Sequence, residues 1–209
     1  MHPIIKVLLT LVGEMCVIVV IAYLIARTKY FDEIRNKKFT LLNCTILILV
    51  FGAVSIFGTY SGIDVFGAIA NVRDLGPMIA GLIGGPVIGL GAGLIGGVHR
   101  YFLGGLTSLP CSLATIFAGI FGGIIYVLRK GKFIGVLGAV VFAALMEFFH
   151  MILILLLAQP YSAAVRVVET ISVPMIFANS LGMLIFAFII SKRIRAQETD
   201  EGRKGESIS

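Results

Sequence analysis

The sequence predicts an all-α integral membrane protein with five long transmembrane helices plus a short or re-entrant helical hairpin hinged at a Gly-Gly-Pro turn. Seven helical segments result, with the N-terminus outside and the C-terminus inside. Three observations carry this expectation. Of the 209 residues, 58% are hydrophobic and 13% charged, and the mean hydropathy is +1.04; a soluble domain carries about 25% charged residues because its surface faces water. Apolar runs long enough to cross a bilayer, about 20 residues, recur along the chain. The cations flank those runs in clusters and do not gather on one face.

The first span, Ile4–Ala26, lacks a basic start and a small-residue cleavage site, and reads as a retained helix and not a signal peptide. A basic loop follows (Arg27, Lys29, Arg35, Lys37, Lys38), and Leu41–Tyr60 returns the chain to the outside. Further clusters lie at Arg129, Lys130 and Lys132 and, after the last span, at Lys192, Arg193, Arg195, Arg203 and Lys204. Only Lys6, Arg73, Arg100 and Arg166 of the 17 Lys and Arg lie elsewhere. Cytoplasmic loops are enriched in Lys and Arg, so all three clusters belong inside. The pI near 9.4 therefore reflects topology, and a nucleic-acid partner is excluded because no folded face collects the cations.

That assignment needs an odd number of crossings between Tyr60 and Arg129. Two ordinary spans there give the wrong parity, and Gly84-Gly85-Pro86 resolves it, because proline and paired glycines break a helix. Leu75–Gly84 then descends, with Asp74 as N-cap and Pro77 in the first turn; at 1.5 Å per residue this arm is about 15 Å long. Val87–Phe102 climbs back, Pro110–Leu128 crosses inward, Phe133–Ala158 outward and Val173–Ile190 inward. Residues 1–195 form the membrane domain, and 196–209 read as a short disordered cytoplasmic tail, polar and charged.

Glycines at 81, 85, 89, 93 and 97 repeat every four residues, the spacing that lines one helix face and lets backbones approach in lipid. Gly119 and Gly123 offer a matching groove. Gly91-Ala-Gly93-Leu-Ile-Gly96 fits the dinucleotide pattern GxGxxG but follows no strand, and no acidic residue stands about 20 residues on, so no cofactor is expected. The three cysteines, Cys16, Cys44 and Cys111, show no disulfide or metal spacing, and no HExxH occurs; no metal is expected.

Chemistry is expected at the hairpin's outer rim. Asn71, Arg73 and Asp74 precede the descending arm, His99 and Arg100 end the ascending one, and Cys111, Ser112 and Thr115 open the next helix. Two readings stand side by side: a structural Arg73–Asp74 pair or headgroup contact, and an anion site, since guanidinium forks match carboxylates. Three intramembrane ionisable residues complete the inventory. Glu14 lies in the first span, and Glu147 and His150, three residues apart, share a face of the Phe133–Ala158 span. They read either as functional groups or as residues satisfied by a neighbouring helix through Asn43 or Asn179.

Asn71-Val-Arg-Asp-Leu-Gly-Pro, Ala80-Gly-Leu-Ile-Gly-Gly-Pro, Gly96-Gly-Val-His-Arg-Tyr and Gly104-Gly resemble, in that order, the LytS/YhcK-type five-transmembrane receptor domain. That domain is the membrane input module of LytS-like sensor histidine kinases and of some diguanylate cyclases, and the resemblance covers about residues 4–195. It is closest to the pyruvate-sensing members. The resemblance implies a sensory receptor for a small carboxylate such as pyruvate, signalling to a cytoplasmic partner in a two-component pathway, with dimers as in the family kinases. It places Arg73, Arg100 and Cys111 at the family's ligand site, to which the rim adds Asn71, Ser112 and Thr115. A position where some relatives hold a hydroxyl residue is Ala114 here, which keeps the exact ligand open. Nothing after Ile190 resembles a phosphoacceptor-histidine region or an ATP lid, so these residues are expected to hold no kinase domain and no enzyme activity. A small-carboxylate transporter or its substrate-binding subunit is the alternative, because broken helices also mark transporter sites.

Overall fold

A computed structural model describes residues 3–206. Seven α-helices occur in it: α1 (Pro3–Ile25), α2 (Lys29–Arg35), α3 (Leu41–Ser61), α4 (Leu75–Phe102), α5 (Ser108–Leu128), α6 (Val136–Leu157) and α7 (Tyr161–Glu206). Six of them, all but α2, are long and apolar enough to cross a membrane. Their outer faces expose Leu9, Leu24, Val87, Leu137 and Val173, a surface suited to lipid.

α4 contains a break: Gly85 has φ 81° and ψ −173°, and helical geometry resumes at Pro86. The two arms lie side by side, because a Cβ built on Gly89 would come within 2.7 Å of the Cα of Gly81. In a straight helix residues eight apart are about 12 Å apart. The descending arm is buried on every side from Leu75 to Gly85, as expected of a helix apolar all round.

Glycine sets the packing. A Cβ on Gly81 would meet the backbone of Gly119, Gly122 and Gly123; one on Gly89 would meet the Gly119 carbonyl; one on Gly123 would meet Pro86. At the other end of α5, Gly97 lies against Ser112 and Ile116. From Ser112 to Gly123 is eleven residues, about 17 Å of helix, so the hairpin follows most of the height of α5. Gly85 rests on the Tyr126 ring, near the end of α5.

The contacts sort the loops into two ends. Gly105, after α4, lies near Gly67, before α4, so both ends of the hairpin share one rim. At the opposite end Gly131 approaches Lys37, and Arg193 of α7 holds Asp32 of α2 through two hydrogen bonds of 2.9 and 2.8 Å. The basic clusters of the first loop, the α5–α6 loop and the end of α7 therefore gather together.

Several details differ from expectation. The first loop contains α2, capped by the Thr28 hydroxyl, which accepts from the N–H of Phe31. The α3–α4 loop holds a small antiparallel hairpin, β1 (Ile63–Val65) with β2 (Ala68–Ala70). Its turn residues Phe66 and Gly67 both have left-handed φ, 54° and 81°, which a two-residue turn with right-twisted strands favours. Asp74 does not cap α4 with its side chain. The last helix starts at Tyr161 and not Val173, because Ala164, Val167, Ile171, Met175 and Ala178 are buried at helical spacing while Arg166 and Glu169 face outward. Its bounds run to Glu206. Residues 207–209 lie outside the described residues.

Gly119→Ala should cost about 1–3 kcal/mol, because the added methyl meets a backbone carbonyl that cannot rotate away. Gly13→Ala, whose added carbon meets nothing within 4 Å, should be neutral or stabilising. Unfolding midpoints of the two variants in one detergent check the contrast.

Candidate functional site

The rim site is built on the segment between β2 and α4. Glu14 of α1 reaches it: its Oε2 accepts from the backbone N–H of Val72 at 3.2 Å. The Asn71 side-chain oxygen accepts from the N–H of Arg73 at 3.1 Å, and its amide donates to the Ile69 carbonyl. Gly58 of α3 makes room, since a Cβ there would lie 2.8 Å from the Cα of Arg73.

Arg73 thus enters the bundle fully buried. Its Nε donates to Thr115 Oγ1 at 2.8 Å and its Nη1 to Thr59 Oγ1 at 3.2 Å, while Nη2 has no hydrogen-bond partner. Asp74 Oδ1 lies 3.6 Å from Nε. The Thr115 hydroxyl lies 2.6 Å from Asp74 Oδ1 and 2.9 Å from the Cys111 carbonyl. It has one hydrogen, and the short contact to a carboxylate is the stronger claim on it.

The network continues into α6. His150 Nδ1 stands 3.1 Å from Asp74 Oδ2 and 3.6 Å from Glu147 Oε2. Both contacts have ion-pair distance, but neither has hydrogen-bond alignment, since Nδ1 and both Glu147 oxygens lack a hydrogen-bond partner. The other ring nitrogen, Nε2, lies 3.2 Å from Cys111 Sγ. Arg100, also fully buried, donates from Nη1 to the Gly104 carbonyl at 2.7 Å and from Nη2 to Thr107 Oγ1 at 3.2 Å. Its Nε has no partner, and Cys111 and Arg73 are among its neighbours.

Arg73, Arg100, Cys111 and Thr115 are thus brought together. Asn71 and Ser112 serve the backbone instead, Ser112 donating to Ser108 O of its own helix at 2.6 Å. Ala114 is buried in α5. Glu147 and His150 belong to the site itself, and Glu14 supports the segment that carries Arg73. Neither asparagine named as a partner fills that role: Asn43 donates to Glu33 and Lys38, and Asn179 to Met175. Thr59 and Thr107 carry no local signal in the sequence, and only the fold brings them to the arginines.

Asp74, Glu147 and His150 offer ligand atoms within 4.8 Å of one another, close enough to share a cation. The Arg73 guanidinium already supplies a counter-charge to Asp74 from the protein itself. Two open clefts of about 530 and 650 Å³ lie at the basic end, beside Lys132 and Arg195 and beside Arg27 and Lys192. The arginine site lies at the other end, closed over.

The family model for the 5TMR of 5TMR-LYT matches residues 28–193. The chain belongs to the 5TMR-LYT family. It is 39% identical over 189 residues to the sensor histidine kinase BtsS of Escherichia coli K12, covering 87% of this chain and 33% of that protein. It is 34% identical to the sensor protein LytS of Bacillus anthracis, covering 91% and 35%, and 30% identical to the sensor histidine kinase YpdA of Escherichia coli K12, covering 91% and 33%. No solved structure matches. The chain spans about a third of the length of these relatives. This 5TMR-LYT chain is a membrane sensory input module of the LytS and BtsS type, and its 209 residues hold no kinase domain.

Thr115→Val keeps shape but leaves Arg73 Nε and Asp74 Oδ1 short of a buried partner, which costs about 1–3 kcal/mol. Thr115→Ser, which keeps the hydroxyl, should recover most of it. Chemical or thermal unfolding of the two variants side by side checks this.

Proposed function

We propose that this module is a receptor for a small carboxylate of the pyruvate type. The carboxylate would be held between Arg73 and Arg100, and its binding would be reported to a cytoplasmic partner in a two-component pathway. One observation carries the reading: two fully buried guanidinium groups, bonded to Thr115 in the first turns of α5 and to Thr107 just ahead of it, each keep a nitrogen without an acceptor. A carboxylate supplies what both need, two acceptor oxygens and a negative charge. The resemblance of the whole membrane domain to BtsS and LytS supports a sensing role over other uses of an anion site.

The rim is then the outer face and the basic end the cytoplasmic one, with the N-terminus out and the C-terminus in. The gathering of the basic loops supports this orientation. The site is closed in this conformation, so ligand entry requires the rim loops around Gly104 and Thr107 to part. The last helix would carry the response inward, and pairing of two copies through lipid-facing helices fits the family's dimeric kinases.

Pyruvate should raise the unfolding midpoint of the purified protein. Arg73→Ala and Arg100→Ala should each abolish that rise, and an unchanged rise in both variants removes the site. Accumulation of labelled pyruvate inside liposomes holding the protein would instead favour a carrier. For orientation, an impermeant maleimide applied to intact cells should label Phe66→Cys and leave Lys130→Cys unlabelled, with the parent chain as background. The reverse pattern would invert the topology.

A further inference from the structure

We propose that Cys111 is a reversible covalent anchor for a 2-oxo acid, its sulfur adding to the keto carbon with His150 carrying the proton. The inference rests on the carboxylate reading above and goes one step further, to what happens at the ligand's second carbon.

The geometry combines a nucleophile, a base and a carboxylate beside that base. Cys111 Sγ lies 3.2 Å from His150 Nε2, and on the other side of the same ring Nδ1 lies 3.1 Å from Asp74 Oδ2. A base within hydrogen-bond reach of a thiol, with a carboxylate at ion-pair distance from its other ring nitrogen, is a setting that activates cysteine nucleophiles. Sequence spacing gave no sign of it, since the three residues come from the start of α4, the first turn of α5 and the middle of α6. All three side chains are buried. The unpartnered Arg100 Nε and Arg73 Nη2 supply the second requirement, donors for a carboxylate and for an oxygen that becomes negative.

The step balances without any further reagent. The thiol proton passes to His150 Nε2, and the sulfur lone pair forms an S–C bond to the keto carbon. The π pair of the C=O bond moves to oxygen, which then takes the proton back from His150. The product is a thiohemiketal. Nothing is oxidised or reduced, and the reverse steps release the 2-oxo acid and the thiol. The hydroxyls beside Cys111 are poorer candidates, because the hydrogen of Thr115 is engaged by Asp74 and that of Ser112 by the Ser108 carbonyl.

Such a bond accounts for selectivity that a small site cannot reach by fit alone. A carboxylate with a saturated second carbon, such as lactate, offers the same charge and nearly the same shape, and discrimination by a merely apolar or loosely polar wall is modest. Only the 2-oxo acid has an electrophilic carbon within reach of the sulfur.

The test uses the 209-residue protein in lipid nanodiscs with pyruvate carrying carbon-13 at position 2. The bound signal in the wild type should leave the ketone region and appear where saturated carbon bonded to oxygen and sulfur resonates. In Cys111→Ala the bound signal should stay in the ketone region and the Kd for pyruvate should rise about tenfold or more, while the Kd for lactate changes by less than about threefold. Lactate binding by the variant also shows that it is folded. Bound pyruvate that keeps its ketone signal in the wild type overturns the covalent step and leaves the carboxylate site standing. An absence of any bound pyruvate overturns both.

Discussion

The site depends on how closely three helical segments approach one another along the glycine face of α5. Gly81 of the descending arm and Gly89 of the ascending arm both meet α5 at Gly119, and Pro86 lies on Gly123. Lipid tails are as apolar as leucine, so helices in a bilayer gain little from burying apolar surface and must pack by direct contact. At these positions the contact is backbone on backbone, and any side chain would push the segments apart. Arg73 precedes one arm and Arg100 ends the other. Their common wall is the first turns of α5, where Thr115 meets one and Cys111 neighbours the other. Packing glycines and a polar rim are therefore two parts of one construction: the first brings the second together.

Once two guanidinium groups are inside an apolar bundle, each has to be met by polar atoms, because an isolated buried charge is prohibitively costly. The protein supplies these atoms from many directions. Thr59 comes from α3, Thr115 from α5, Asp74 from the head of α4, and the Gly104 carbonyl and Thr107 hydroxyl from the loop after α4. Asp74 in turn faces His150 of α6, and Glu14 of α1 holds the backbone of Val72. Among the described residues five membrane helices thus share one polar network, and α7 packs against α1 and α6. A group removed from it leaves its neighbours unpaired, which is why isosteric changes are more informative here than truncations.

The coarse fold was legible in the sequence because its determinants are local. Apolar run length marks the spans, Gly84-Gly85-Pro86 marks the break, and the cation clusters mark one end. The arginines of the rim were legible because a charge amid apolar sequence stands out. Asp74 does stand at the N-cap position of α4, but its side chain makes no cap bond: its carboxylate accepts from Thr115 of α5 and faces His150 of α6. The membership of Glu147 and His150 in the site depends on how α6 sits against α4 and α5, and no periodicity encodes that. Hydropathy hid the start of α7, where Arg166, Glu169 and Thr170 interrupt the apolar run while the buried face, Ala164, Val167 and Ile171, stays continuous. The small β-hairpin and α2 are too short to impose a pattern.

The arrangement of partners also says where a ligand's binding energy would be expressed. A carboxylate arriving at the rim would meet guanidinium groups whose other nitrogens each already bond to the protein, so it would gain from the unpartnered ones and from whatever it re-aims. It can favour one helix arrangement over another only by the difference in those contacts. The contacts open to re-aiming lie on different helices: Thr59 on α3, Thr107 ahead of α5, and His150 on α6 through Asp74 and Cys111. The hinge of the hairpin, walled by Tyr126 at Gly85, lies at the far end from these groups and touches none of them. α6 instead packs along α7, and α7 runs to the basic end, where Arg193 grips Asp32 of α2. A shift of His150 would therefore have a packed connection to the basic end through α6 and α7, with the hairpin, held by backbone contact to α5, as the fixed frame.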